Sequence, residues 1–210
     1  MRSCNINSND GNSRIEVQSF SQGVRRSFGL STKLFVCADN GKKDALDFPT
    51  DARVKQKQKG FLNGNKNPVA AVESGNGLGE AYAFYRGYGS GFYEINLVTF
   101  SNLAITQVNK MSVISRATGN CIACVAILNQ KGRHVYTLAM PVLGARSDKL
   151  SLSVKSGVMA SAILSHFKSS FMKKGVDELK SIFLFAYGAT GQQVSEIARE
   201  VDKAVKFSLG

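Results

Sequence analysis

Gly119–Val142, GNCIACVAILNQKGRHVYTLAMPV, is the most apolar part of the chain's centre and sets the class of structure expected around it. Cys121–Leu128 (CIACVAIL) carries almost no polar side chain, the pattern of a strand buried on both faces. Asn129-Gln130-Lys131-Gly132 follows, a polar tetrapeptide whose glycine can supply the positive φ of a hairpin turn. His134–Val142 then resumes with β-branched and aromatic residues, and Pro141 ends it because proline removes a ladder donor. Two antiparallel strands are expected.

Toward the C-terminus, Lys149–Lys155 alternates, with Leu150, Leu152 and Val154 opposed to Ser151 and Ser153, which predicts a half-buried third strand. The period changes at Ser156. Ala160, Ile163, Leu164, Phe167 and Phe171 recur at helical spacing, predicting a helix over 156–174 with Ser156 as N-cap and Gly175 closing it. Ile182–Tyr187 (IFLFAY) is a strand-length apolar run. Thr190-x-x-Gln193 is a capping box, and Val194, Ile197, Ala198, Val201, Ala204 and Val205 form one stripe, predicting an amphipathic helix over 191–207. Asp202 and Lys206 are spaced for an i,i+4 ion pair.

Upstream, Phe92–Val108 reads as two β segments. Gly75–Glu94 interleaves six glycines with Tyr82, Phe84, Tyr85, Tyr88, Phe92 and Tyr93. Two readings stand there: a stacking platform for bases assisted by Arg86, and a tight turn leading into aromatic strands packed on the core. Neither glycine cluster is G-x-G-x-x-G or carries a following Lys-Ser/Thr, so a phosphate-loop motif is not matched. The fold class expected is α+β, a β-rich, mainly antiparallel or jelly-roll-like core carrying two helices. Residues 1–32 are expected to form a flexible polar, basic arm. Residues 33–210 should form a single domain with a basic loop at 39–68.

The chain has 210 residues and a formal charge of +12, with an isoelectric point near 9.7, a balance that favours an anionic partner. Met1–Ala70 holds 12 basic and 6 acidic residues, half the surplus in a third of the chain. Arg53, Lys55, Lys57 and Lys59 alternate with uncharged residues, so an extended backbone would align four cations for a phosphate chain. The opposing reading is a solvated loop kept soluble by its lysines. The candidate nucleic-acid contacts are Arg25, Arg26, Lys42, Lys43, Arg53, Lys55, Lys57, Lys59, Lys66, Tyr85, Arg86 and Tyr88.

Cys121-x-x-Cys124 invites a redox or zinc reading, but neither Cys4 nor Cys37 completes a second ligand pair, and on a strand the two thiols would face opposite ways. They are read as buried small hydrophobes. His134 and His166 have no triad partners flagged by sequence. No catalytic residue, metal or cofactor is therefore expected, and the chain is not read as an enzyme. Four scattered cysteines fit a reducing cytoplasm better than a secreted framework, with an organelle or a virion as alternatives. No apolar run looks long enough to span a membrane.

The element order across Phe92–Tyr187 resembles that of plant-virus movement proteins of the thirty-kilodalton superfamily: an apolar strand led by Gly119, a polar turn with Arg133, an alternating strand, a helix and a second apolar strand. It also resembles jelly-roll coat proteins. The resemblance implies cooperative binding of single-stranded RNA, or self-assembly around it, by a homo-oligomer. The alternative is a scaffold that docks on a partner through its C-terminal helix.

Overall fold

The run Cys121–Leu128 is the second half of a helix, α1 (Gln107–Gln130). Ile114, Ala117, Cys121, Cys124, Val125 and Leu128 recur at steps of three and four and enter one core, the signature of an apolar helical stripe. Ile122 and Ala126 are buried as well, so this half is apolar all round and a local window cannot separate it from a buried strand. The glycine foreseen as a hairpin turn closes the helix instead. Gly132 takes φ 71, its N–H donates to the Asn129 carbonyl at 2.9 Å, and Arg133 N–H donates to the Leu128 carbonyl at 3.0 Å. That pairing is a Schellman closure.

The computed structural model describes residues 14–16, 32–39, 50–61, 67–75, 77–87, 91–100, 107–144, 150–168 and 173–209. Six strands precede α1: β1 (Arg14–Glu16), β2 (Lys33–Asp39), β3 (Ala52–Gln58), β4 (Ala70–Val72), β5 (Ala81–Arg86) and β6 (Phe92–Phe100). After it come β7 (Thr137–Pro141), α2 (Leu152–Lys168), α3 (Lys173–Val176), β8 (Ser181–Tyr187) and α4 (Gly191–Leu209). The sheet order is β1-β2-β8-β7-β3-β6-β5-β4. β2, β8, β7, β3 and β6 run parallel, whereas β1, β5 and β4 are antiparallel additions at the edges.

Parallel neighbours need crossovers, which α1 and α2 supply between β6, β7 and β8. α1 packs on α2 and α2 on α4, and all three cover one sheet face. Leu34 and Val36, Val54, Ile95 and Leu97, Leu138 and Met140, and Ile182 and Leu184 line that face. Each fully buried leucine or isoleucine there contributes roughly 2–3 kcal/mol. The opposite face holds two smaller clusters, one around Phe183 and Phe185, the other around Tyr82, Phe84 and Val98. This is an α/β sheet, and it corrects the expectation of an antiparallel, jelly-roll-like core.

Lys149–Lys155 is corrected too. No strand lies among its described residues: Ser151 Oγ accepts from Val154 N–H at 3.3 Å, so Ser151, not Ser156, caps α2. The C-terminal helix stands as expected. Thr190 and Gln193 form the capping box, Thr190 N–H donating to Gln193 Oε1 at 2.9 Å and Gln193 N–H to Thr190 Oγ1 at 3.4 Å. Lys206 and Asp202 pair at 2.6 Å. Its stripe of Val194, Ile197, Val201 and Val205 is buried in this chain's own core. That overturns a scaffold whose helix face is reserved for a partner. Asn109–Gln130 of α1 reaches membrane-spanning length at mean hydropathy 1.5, contrary to expectation, but 67% of that window is buried inside the fold, the position of a core helix.

Candidate functional site

The sheet is split at one place. β3 pairs with β6 from Ala52 to Gln58, and β7 pairs with β8 from Thr137 to Pro141. Between themselves, β3 and β7 pair only at Ala52↔Leu138 and Arg53↔Ala139. From Val54 onward the main-chain groups of β3 that face β7 have no ladder partner on it, and such groups need one. A crevice therefore opens toward the carboxyl ends of these strands.

Asp51 clamps its closed end. Its Oδ2 accepts from Tyr136 N–H (3.0 Å), Thr137 N–H (2.9 Å) and Thr137 Oγ1 (2.8 Å), and its own N–H donates to Thr137 Oγ1 at 2.9 Å. Gln56 spans the open end: its Oε1 accepts from Gly144 N–H beyond β7 at 2.9 Å and from Thr99 Oγ1 on β6 at 3.0 Å.

The topology marks the same place. From β3 the chain moves outward to β4, β5 and β6, whereas from β7 it moves the other way to β8. Adjacent strands whose connections depart in opposite directions define a switch point, where open α/β sheets bind ligands outside the carboxyl ends. Positive-φ glycines follow three of these strands: Gly60 (φ 87) after β3, Gly144 (φ 110) after β7 and Gly188 (φ 69) after β8. A backbone so turned can approach a ligand closely. α1, α2 and α4 all begin at this edge, presenting N-terminal amides and the positive ends of their dipoles.

Of the residues the sequence singled out, Arg25, Arg26, Lys42, Lys43, Lys66 and Tyr88 lie outside the described residues. Arg53, Lys55 and Lys57 fall on β3, so much of the expected basic loop is a strand, and they share the face away from the helices. Lys59 departs from them: its side chain packs against Gly77, where a Cβ would stand 2.8 Å from Lys59 Cε. Tyr85 is on the other face of β5, its ring 5.4 Å from that of Tyr93. Arg86 pairs with Glu94 at 3.1 Å.

The expected four-cation row is thus a three-cation row. Of the aromatics between the glycines, Tyr82 and Phe84 are core, Phe92 and Tyr93 are half-buried and Tyr85 is exposed. Gly75, Gly77 and Gly79 form a turn tied down by Glu80, whose Oε1 accepts from Gly77 N–H at 3.0 Å and whose Oε2 accepts from Tyr82 Oη at 2.7 Å.

Sequence reading missed Gln56, Thr99, Gly144 and Asp51. Gln56 and Gln58 occupy the positions alternating with the lysines of β3, a visible signal that charge obscured.

Cys121 and Cys124 lie three apart on a helix and so share a face, reversing the strand-based inference. Burial pushes the Cys121 thiol far up, and the Cys124 thiol to about 12 despite a backbone hydrogen bond and Lys131. Both should therefore resist alkylation in the folded protein at neutral pH and react after unfolding, as intact-mass spectrometry would show. Rapid labelling of either in the native state would contradict their placement. Among the described residues, no group of three or more His, Cys, Asp and Glu could hold a metal ion.

Burial raises the Glu94 carboxyl, but hydrogen bonds from Arg86 and Asn96, with the charges of Arg86 and Lys55, outweigh it and hold the group below its usual 4.5. A depressed folded pKa contributes stability that is present above about pH 4.5 and lost as pH falls through the folded value. The advantage of wild type over Glu94→Gln in urea unfolding should accordingly be largest at neutral pH and shrink in acid. A constant difference from pH 7 to 3 would contradict that pairing.

No protein-family model matches the sequence, and no curated protein matches it. Solved structures do match. The Oceanobacillus iheyensis macrodomain with MES bound aligns at TM-score 0.55 and 11% identity over 84% of this chain and 94% of that one. The macro domain of ganglioside induced differentiation associated protein 2 aligns at TM-score 0.52 and 14% identity, over 86% and 92%. The chain therefore has a macrodomain fold. This replaces the likeness to movement and coat proteins, and with it the reading of the chain as a viral binder of single-stranded RNA.

Proposed function

We propose that the crevice between β3 and β7 binds a nucleotide carrying a diphosphate. The macrodomain fold makes ADP-ribose the ligand to test first. The observation that carries this reading is the ladder that stops after Arg53 and Ala139. It leaves main-chain donors and acceptors beside three glycine turns and the starts of three helices. Diphosphates suit such a place because their oxygens take several N–H donors at once, and helix dipoles favour the charge.

The side chains described at the open end of the crevice, Gln56 and Thr99, are neutral hydrogen-bonding groups. Neutral donors and acceptors of this kind suit holding the hydroxyl and phosphate groups of a ligand.

Titration calorimetry with ADP-ribose, alongside adenosine as a phosphate-free control, tests the reading. ADP-ribose should bind and adenosine should bind far less. At one hundred times its dissociation constant the nucleotide should stabilise the fold by about 2.7 kcal/mol. Absence of heat and of any rise in the thermal midpoint at millimolar ADP-ribose would overturn it. Gln56→Leu, which leaves Gly144 N–H and Thr99 Oγ1 without their acceptor, should weaken ADP-ribose about tenfold. An unchanged affinity would show that the ligand does not use this end of the crevice.

A further inference from the structure

Resting on the reading of the crevice as a nucleotide site, we propose that Lys155 is its phosphate-binding side chain, the ammonium meeting the ligand's diphosphate from the helix layer. Lys155 is 3% exposed, and among the described residues it is the only buried cation. A lysine in the first turn of an amphipathic helix ordinarily turns to solvent, because an ammonium taken out of water loses its hydration.

Helical register turns this one inward. Lys155, Met159 and Ile163 follow at steps of four and share one side of α2, and Met159 and Ile163 belong to the core beneath it. Met159 fixes the height of that row. Its Sδ accepts from Leu143 N–H at 3.3 Å, and Leu143 precedes Gly144, whose N–H donates to Gln56 Oε1 at 2.9 Å.

α2 begins at the carboxyl edge of the sheet, so Lys155 stands about 6 Å nearer that edge than Met159. Long side chains on a helix lean toward its N-terminus, which carries the ammonium further the same way. Lys155 therefore belongs to the wall of the crevice beside Gly144, not to the outer surface of α2. Gly144 is only half-buried, so a ligand oxygen can reach its amide.

The two strand side chains at this end, Gln56 and Thr99, are neutral. Lys155 comes from the helix layer and adds the charge they lack, in a place where water and salt screen it little. An ammonium offers three donors and a compact charge to phosphate oxygens. A diphosphate gains from it and a neutral nucleoside does not, so Lys155 sets the charge of the ligand that the crevice accepts.

The test measures thermal shift with ADP-ribose and, separately, with inorganic pyrophosphate, and the affinity of each by calorimetry at two salt concentrations. Both probes should stabilise wild type. Lys155→Met keeps the apolar stem in the wall and removes the charge. Its affinity for ADP-ribose should fall about tenfold or more, with a flatter dependence on salt. Lys155→Gln, uncharged but polar at its tip, should show the same loss, and Lys155→Arg should recover part of it. Lys203→Met, the same change in net charge on the exposed face of α4, should stay within about twofold.

Pyrophosphate binding lost in Lys155→Met, with no binding of ADP-ribose by wild type, would uphold Lys155 and overturn the nucleotide reading. ADP-ribose bound equally by wild type, Lys155→Met and Lys155→Gln would overturn Lys155 and leave that reading intact. Stabilisation by neither probe would overturn both. A loss as large in Lys203→Met would reduce the effect to net charge and overturn the assignment of Lys155.

Discussion

Asp51→Ala lowers stability by about 3 kcal/mol, because one carboxylate oxygen that accepts three hydrogen bonds is removed and two main-chain donors lose their acceptor in the half-buried seam between β3 and β7. Urea unfolding at pH 7 measures it: the midpoint should fall with the slope unchanged, since the surface exposed on unfolding is the same. The functional consequence is expected alongside. With its closed end loosened, the crevice no longer holds Gln56 and Gly144 at their separation, so ADP-ribose should also bind more weakly. Asp51→Asn keeps an acceptor and should recover part of both losses. A loss below about 1 kcal/mol for Asp51→Ala would mean that solvent replaces the carboxylate, and that the seam is held by the strand ladders alone.

Gly175→Ala is the second large effect, about 3 kcal/mol. Gly175 sits at φ 96, a region that L side chains adopt only with strain. A Cβ there would stand 2.6 Å from the Ala126 carbonyl oxygen of α1 and 3.2 Å from Gln130 Cγ. A backbone atom cannot swing aside as a long side chain can, so α3 must separate from α1. The same glycine's carbonyl accepts from Asn129 Nδ2 at 2.8 Å, and Asn129 Nδ2 also donates to the Val135 carbonyl at 3.1 Å. Moving Gly175 therefore disturbs the entry to β7. Combined with Asn129→Ala, the losses should add to less than their sum, a coupling of about 1 kcal/mol, because both changes break the one contact. Strict additivity, or a Gly175→Ala protein as stable as wild type, would contradict the packing of α3 on α1.

These elements show what the sequence made legible. Ile182–Tyr187 and the C-terminal helix were read correctly because their length, capping residues and period all agree. The strand ending at Pro141 is real but starts at Thr137, since Gly132 serves a helix end rather than a hairpin. Positive φ is common to both uses, and the residue type alone does not choose between them. Cys121–Leu128 was misread because a helix buried on all sides shows no period in an eight-residue window. The fourteen residues before it, in α1, carry the stripe at Ile114 and Ala117 that settles the matter.

Leu150–Val154 alternates by chance within a capped helix start. Read as a strand, Cys121–Leu128 removes the crossover helix between β6 and β7, and an antiparallel sheet follows. The crevice was illegible for a different reason. It arises where two strands far apart in sequence stop pairing, and no local pattern records that event. The basic row on β3 was legible as alternation, but its partner was not, because Glu94 and Asn96 join it only through the sheet.

Backbone amide resonances followed during titration with ADP-ribose locate the ligand on the fold. Gly60, Gly144 and Gly188 should shift together and saturably, with Thr99 beside them, while Lys55 and Lys57 stay in place. Shifts confined to the far face of β3, or none at saturating nucleotide, would contradict a ligand site between β3 and β7.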